Sequence, residues 1–356
     1  MTKRHITYLA CATTLFGALI GTAPASASHR IHVVLPGESI QKVVDAAQAG
    51  DTVLVLPGTY HESITVRKPG LTLRGMGQRT VIKPAAPGAK KAPIGCDAAG
   101  NGICVIGAKT KPVTDVTIAD LKVTEFPKVG VYALGTDRLT VQRVTADNNG
   151  QWGISQEHST RGVFRENTAR GNGDAGMFLA NNVKAEVGAS DTKGTVIERN
   201  HLEGNRIGLT VRRLRNLTVA HNYATGNCAG MFVVGDENKP KAGALTVSDN
   251  RVEQNNKYCA KTARLPFLQG SGIVLTGAEN TLVTRNTVAG HQGTSPLSGG
   301  IVLFKSMVGV TSERNRITGN RLESNSPADL VNQEATASAN AFDANTCGSS
   351  KPSGLC

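Results

Sequence analysis

The chain has 356 residues, 39 Lys and Arg against 27 Asp and Glu, a formal net charge of +12, and only 4% aromatic residues. That length allows a sizeable core, and the basic balance draws the protein to anionic partners such as uronate polysaccharide, teichoic acid or anionic lipid. Few aromatics and no recognisable binding motif argue against nucleic acid.

Residues 1–27 read as a secretory signal. Lys3 and Arg4 form the charged start, Tyr8 to Ile20 the apolar core, and Ala25-Ser26-Ala27 a small-residue cleavage site. The core is too short for a membrane anchor, and no later stretch could span a bilayer. The protein is therefore expected to be secreted. Cleavage would remove two cations and leave a formal charge of +10. It would also remove Cys11, leaving six cysteines in an exported chain. That even count suggests disulfides. Fifteen pairings are open; locality favours Cys96–Cys104, Cys228–Cys259 and Cys347–Cys356.

Residues 28–356 are expected to form one domain. Ser39 to Ala49 reads as a short amphipathic helix, with Ile40, Val43, Val44 and Ala47 on one stripe and Gly50 as its stop. It would close the N-terminal end of the fold, within a cap of about residues 31–60. Strands follow at Thr52–Leu56, Ser63–Val66 and Leu71–Leu73. Residues 83–100 read as a surface loop.

From Gly130 onward one unit repeats. Its opening glycines are Gly130, Gly153, Gly176, Gly208, Gly230, Gly272 and Gly300, at steps of 22–23 residues that insertions enlarge to 28, 32 and 42. Behind each glycine the periodicity is two, as in a strand with one buried face. Val131, Ile154, Met177, Leu209, Met231, Ile273 and Ile301 form the first inward column. A second strand ends at Val141, Phe164, Ile197, Val219, Val247 and Val283. A third carries Ala146, Ala169, Leu202, Ala224, Val252, Val288, Ile317 and Phe342 inward.

Two asparagine columns punctuate the unit. The first is read at Asn167, Asn200, Asn222, Asn250, Asn286, Asn315 and Asn340, the second five residues later at Asn172, Asn205, Asn227, Asn255, His291, Asn320 and Asn345. An amide both donates and accepts, so stacked asparagines can bond from coil to coil. Asparagine also tolerates the left-handed backbone of a tight bend. Three strands per turn, stacked, make a right-handed parallel β-helix. The tail, residues 346–356, is expected to be held by its disulfide.

On these motifs, with Pro36-Gly37-Glu38-Ser39, Ala49-Gly50-Asp51-Thr52 and Pro57-Gly58-Thr59-Tyr60 near the start, the chain resembles the right-handed parallel β-helix proteins of the pectate-lyase-like superfamily. The likeness runs from about residue 31 to 345. It includes the broad repeat family to which accessory proteins of nitrous oxide reductase belong. Met177 and Met231 fall at inward positions and the histidines are dispersed, so a copper site of that kind finds little support.

The insertions, about residues 181–194, 235–243, 256–271 and 292–299, flank the Gly-led sheet on both sides. They predict either a groove along its outer face or a second small core beneath loops. Tyr132, Phe178 and Phe232 point outward there, and His158 and Lys305 lie at its corner. These five are the candidate substrate-binding residues. β-Elimination of a uronate needs its carboxylate neutralised and a base for the C5 proton. The resemblance implies an Arg base, Arg212 or Arg213, and Ca²⁺ held by Glu157, Asp236 and Glu237. Polygalacturonase and alginate-epimerase signatures are absent. Two functions follow: a monomeric secreted protein that binds and cleaves an anionic polysaccharide, or a non-catalytic β-helix module for surface or matrix carbohydrate.

Overall fold

A computed structural model describes residues 29–86, 88, 95–183, 185–335 and 339–356. The proposed signal lies outside them. Three long parallel sheets run side by side along the chain. The first sheet starts at Ile31–Val34 and ends at Ala341–Asp343; the second runs from Gly58–His61 to Arg321–Glu323. The Gly-led sheet runs from Ile64–Val66 to Ser350–Lys351. Successive turns pair in parallel register, Val131 with Ile154, Ile154 with Met177 and Met177 with Leu209. The fold is a right-handed parallel β-helix.

The core is the stack of inward residues. Val141, Phe164 and Ile197 from the first sheet, Ala146, Ala169 and Leu202 from the second, and Ile154 and Met177 from the Gly-led sheet are all 0% exposed. The helix spans Ile40–Ala46, with Ser39 accepting from Lys42 N–H as its N-cap. It buries Ile40 and Val44 against the first coils, and Lys68 Nζ donates to three carbonyls at its C-terminal end. The three disulfides pair as locality predicts.

Asparagine ladders fill two of the bends. Asn200 Nδ2 donates to Asn222 Oδ1 at 2.9 Å and to Phe164 O at 2.9 Å, while its Oδ1 accepts from Asn167 N and Nδ2. Asn205 repeats this between Asn172 and Asn227. Two details differ from the sequence reading. The left-handed residue is the one before the asparagine: Glu166, Arg199, His221, Asp249 and Arg285 in the first bend, mostly glycine in the second. The register also shifts near the end. Asn286 bonds Asn320, which bonds Asn345, and His291 bonds Asn325. Asn315 and Asn340 instead form a third, short ladder beginning at Thr281. Ile317 and Phe342 therefore belong to the first sheet, and Leu322 takes the second-sheet slot.

The opening glycines are required by close approach. A Cβ on Gly153 would lie 2.6 Å from Gly176 O and 2.9 Å from Asn172 Nδ2. The second ladder packs against the Gly-led strands with no room for a side chain.

Candidate functional site

The outer face of the Gly-led sheet is closed. Trp152, Phe178, Phe232, Val274 and Val302 form a second apolar cluster with Leu268 and Leu297 from the inserted loops. Trp152 stacks on Phe178 with ring centroids 4.2 Å apart. Phe178 is 8% and Phe232 3% exposed, so neither ring is open to a sugar. Of the two arrangements the sequence predicts, the second small core beneath loops is the one found here. Apolar surface at this density folds its loops down, which removes it from water. Cys228–Cys259 ties one of those loops to the sheet.

One corner is less covered, with Arg212, Val234 and Tyr132 half-buried beside the buried Glu157 and Ala180. Glu157, Ala180, Arg212 and Val234 occupy one register column at the end of successive strands. Glu157 and Arg212 are thus two coils apart, about 10 Å along the helix axis. Tyr132, half-buried one coil earlier, donates its hydroxyl to Glu157 Oε1 at 3.0 Å. Val183 N–H donates to the other carboxylate oxygen at 2.9 Å. Burial and the Glu157 charge push the Tyr132 hydroxyl above its usual range, so it stays protonated. His158 follows Glu157 with a left-handed backbone (φ 49°), and its buried Nδ1 has no partner among the described residues.

Arg212 and Arg213 have different surroundings. Arg213 is 3% exposed and clamps two inserted loops, bonding Ala185 O at 2.7 Å and pairing with Asp236 and Glu186. It is committed to structure and cannot serve as a base. Arg212 is half-buried, and its guanidinium makes no hydrogen bond or ion pair among the described residues. Burial holds its guanidinium below the usual arginine range, and the like charges of Arg213 and Arg264 act in the same direction. Arg264 gave no sequence signal, because it sits in an insertion outside the repeat.

The expected Ca²⁺ ligands do not come together. Glu157 is held by Tyr132 and Val183, Asp236 by Arg213 and Asn238, and Glu237 is exposed. Among the described residues no three His, Cys, Asp or Glu side chains are grouped to hold a metal. The donor set does not suit copper either: Met177 and Met231 are core residues, and the six described cysteines are in disulfides. Lys305 is exposed on a later coil, away from the Tyr132–Glu157 pair.

Comparison with known proteins places this geometry. Residues 96–243 match the family model for the right handed beta helix region. Residues 180–350 match that for the periplasmic copper-binding protein NosD. No match was found among curated proteins. The A-module of the Azotobacter vinelandii mannuronan C-5 epimerase AlgE4 is 19% identical, with 86% of this chain and 90% of that chain covered at a TM-score of 0.57. An alginate lyase from Paenibacillus sp. str. FPU-7 is 14% identical over 90% of this chain and 99% of that chain, at 0.59. DFA-IIIase from Arthrobacter chlorophenolicus A6 is 12% identical over 89% and 87%, at 0.57. The chain has the right-handed parallel β-helix fold that these proteins share. These likenesses establish fold; function lies in the site.

Proposed function

We propose that the protein is exported, binds an anionic uronate polysaccharide at the Arg212 corner, and cleaves it by β-elimination. One observation carries this reading: a half-buried arginine whose guanidinium has no partner among the described residues, beside the like charges of Arg213 and Arg264. An uncompensated cation of that kind favours an incoming carboxylate. Its lowered proton affinity also suits it to accept a proton. Arg212 would first release its own proton to solvent, then take the C5 proton, the C4–C5 double bond would form as the C4–O bond breaks, and solvent would protonate the leaving oxygen. Tyr132, kept protonated beside Glu157, would bind the sugar as donor. His158 would line the same corner, and the exposed Lys305 would attract the polyanion from farther along the helix. No step is assigned to a metal, because Glu157, Asp236 and Glu237 do not converge. Two solved relatives of this fold are, by name, an alginate lyase and a mannuronan epimerase. Three disulfides suit an oxidising compartment. No helix among the described residues is long and apolar enough to cross a membrane.

A second reading, a non-catalytic carbohydrate-binding module, is favoured by the closed Gly-led face, which leaves only a corner. Absorbance in the unsaturated-uronate band separates the two, using pectate, alginate and glycosaminoglycans with and without Ca²⁺. The lyase reading expects a rising signal that Arg212→Ala lowers by at least about a hundredfold. Turnover undiminished in that variant would remove Arg212 as base. Binding without any signal would leave the module.

A further inference from the structure

The outer face of the second sheet differs from both the core and the Arg212 corner. Two depressions of about 340 and 370 Å³ lie on it. They adjoin, because Lys122 lines the first and pairs at 3.3 Å with Asp147, which lines the second. Farther along, His201, Tyr223 and Arg251 stand in one register on successive coils. The half-exposed Tyr223 ring lies 5.2 Å from the His201 ring centroid, with the Arg251 guanidinium 5.2 Å from its own centroid. Lys122 to Tyr223 is four coils, about 19 Å.

The charge on this face is balanced. Lys83 pairs with Glu125 at 2.7 Å and Arg251 with Glu253 at 2.6 Å, besides Lys122 with Asp147. Exposed pairs of this kind add little stability. They do place charged donors and acceptors along the sheet face, on both sides of the Tyr223 coil. A polyanion would meet a carboxylate on coil after coil. A neutral chain of hydroxyl groups would find donors and acceptors along the strip and the edge of an aromatic ring held between His201 and Arg251.

We infer that the second-sheet face is a binding strip for a neutral glycan, separate from the Arg212 corner. Affinity electrophoresis of the full chain in gels containing soluble neutral glucan, mannan or galactan, or containing pectate or alginate, tests it. Retardation by at least one neutral glycan is expected. Tyr223→Ala should weaken it by about tenfold, and Arg212→Ala should leave it unchanged. Arg170→Glu, on the exposed rim of the second depression, is an independent variant expected to weaken it too. Circular dichroism melts confirm that both variants fold. The strip is refuted if no neutral glycan retards the chain, if neither variant changes the retardation, or if Tyr223→Ala affects only pectate and alginate.

Discussion

The two ladder bends are built alike inside and differently outside. In both, the mid-ladder asparagines, Asn200 in one and Asn205 and Asn227 in the other, give their amide to the next coil and to a carbonyl of the previous one, at 2.8–3.1 Å. In the bend between the first and second sheets, the left-handed residues from Asp120 to Arg285 are charged or histidine, with Gly319 and Ala344 on the last two coils. Asp120 and Arg143 there make a two-pronged ion pair at 2.6 and 3.0 Å, and Asp249 and Arg285 make another at 2.8 Å. In the bend before the Gly-led sheet, the same backbone position is Gly171, Gly204, Gly226 and Gly290. The interior is dictated by the need to satisfy buried amides. The outer position is freer, since both bends meet solvent there: one carries charged residues that pair across coils, and the other mostly uses the residue that adopts positive φ without cost.

If the interiors are equivalent, breaking either ladder should cost the same. Asn200→Leu would strand Asn167 N–H, the Asn167 amide and Phe164 O. Asn205→Leu would strand Asn172 N–H, its amide and Ala169 O. Each buried orphan costs about 1–3 kcal/mol, so each variant should lose about 4 kcal/mol. Urea unfolding measures both. A difference of more than about 2 kcal/mol between them would show that the bends are not the same device.

His291 sharpens the comparison, because it is the one ladder position in the second bend where an imidazole replaces the amide. Its Nε2 faces Asn255 Nδ2 at 3.0 Å and its Nδ1 faces Asn325 Oδ1 at 2.8 Å. Only a neutral ring with its proton on Nδ1 accepts on one side and donates on the other. Burial accordingly holds its pKa down to about 4, against 6.5 for the free side chain. Between those values the unfolded chain binds a proton that the folded chain refuses. Stability from this site is therefore complete above about pH 6.5 and falls as pH drops toward 4, by on the order of 3 kcal/mol. His291→Asn should flatten that part of the pH–stability curve, since asparagine continues the ladder without titrating. An unchanged slope in the variant would place the pH sensitivity elsewhere.

What could be read ahead of the structure followed the repeat. The inward columns, the capping helix and the disulfide partners each rest on spacing that a sequence displays. The register slip at Asn315 arose because Asn315, Asn320 and Asn325 stand at one spacing, so position alone does not say which bend each enters. The loops were harder. Their lengths showed where they leave the barrel, but not that Leu268 and Leu297 fold back over Phe178 and Phe232. Arg212 and Arg213 look identical in sequence, and only the return of the 181–189 and 235–243 segments makes one a buried clamp and the other a half-buried cation. The separation of Glu157 from Asp236 likewise depends on partners brought in by those loops.

The smallest expected effect tests the outer positions. Arg199 holds φ 53°, and its one ion pair, to Glu198 at 3.0 Å, lies largely in solvent. A left-handed non-glycine residue costs about 1–2 kcal/mol, more than the roughly 0.5 kcal/mol such a pair contributes. Glycine adds about 0.5–1 kcal/mol of unfolded-state entropy in return. Arg199→Gly should thus lie within about 1 kcal/mol of neutral, on the stabilising side. Gly204→Ala, at φ 67° with its nearest neighbour 3.9 Å away, meets no steric obstacle and should lose only the backbone term, about 1 kcal/mol. Opposite signs for these two changes in thermal melts are the expected result. If Arg199→Gly instead loses 2 kcal/mol or more, a scale well beyond one exposed pair, the charged column does more for the fold than its solvent-facing contacts account for.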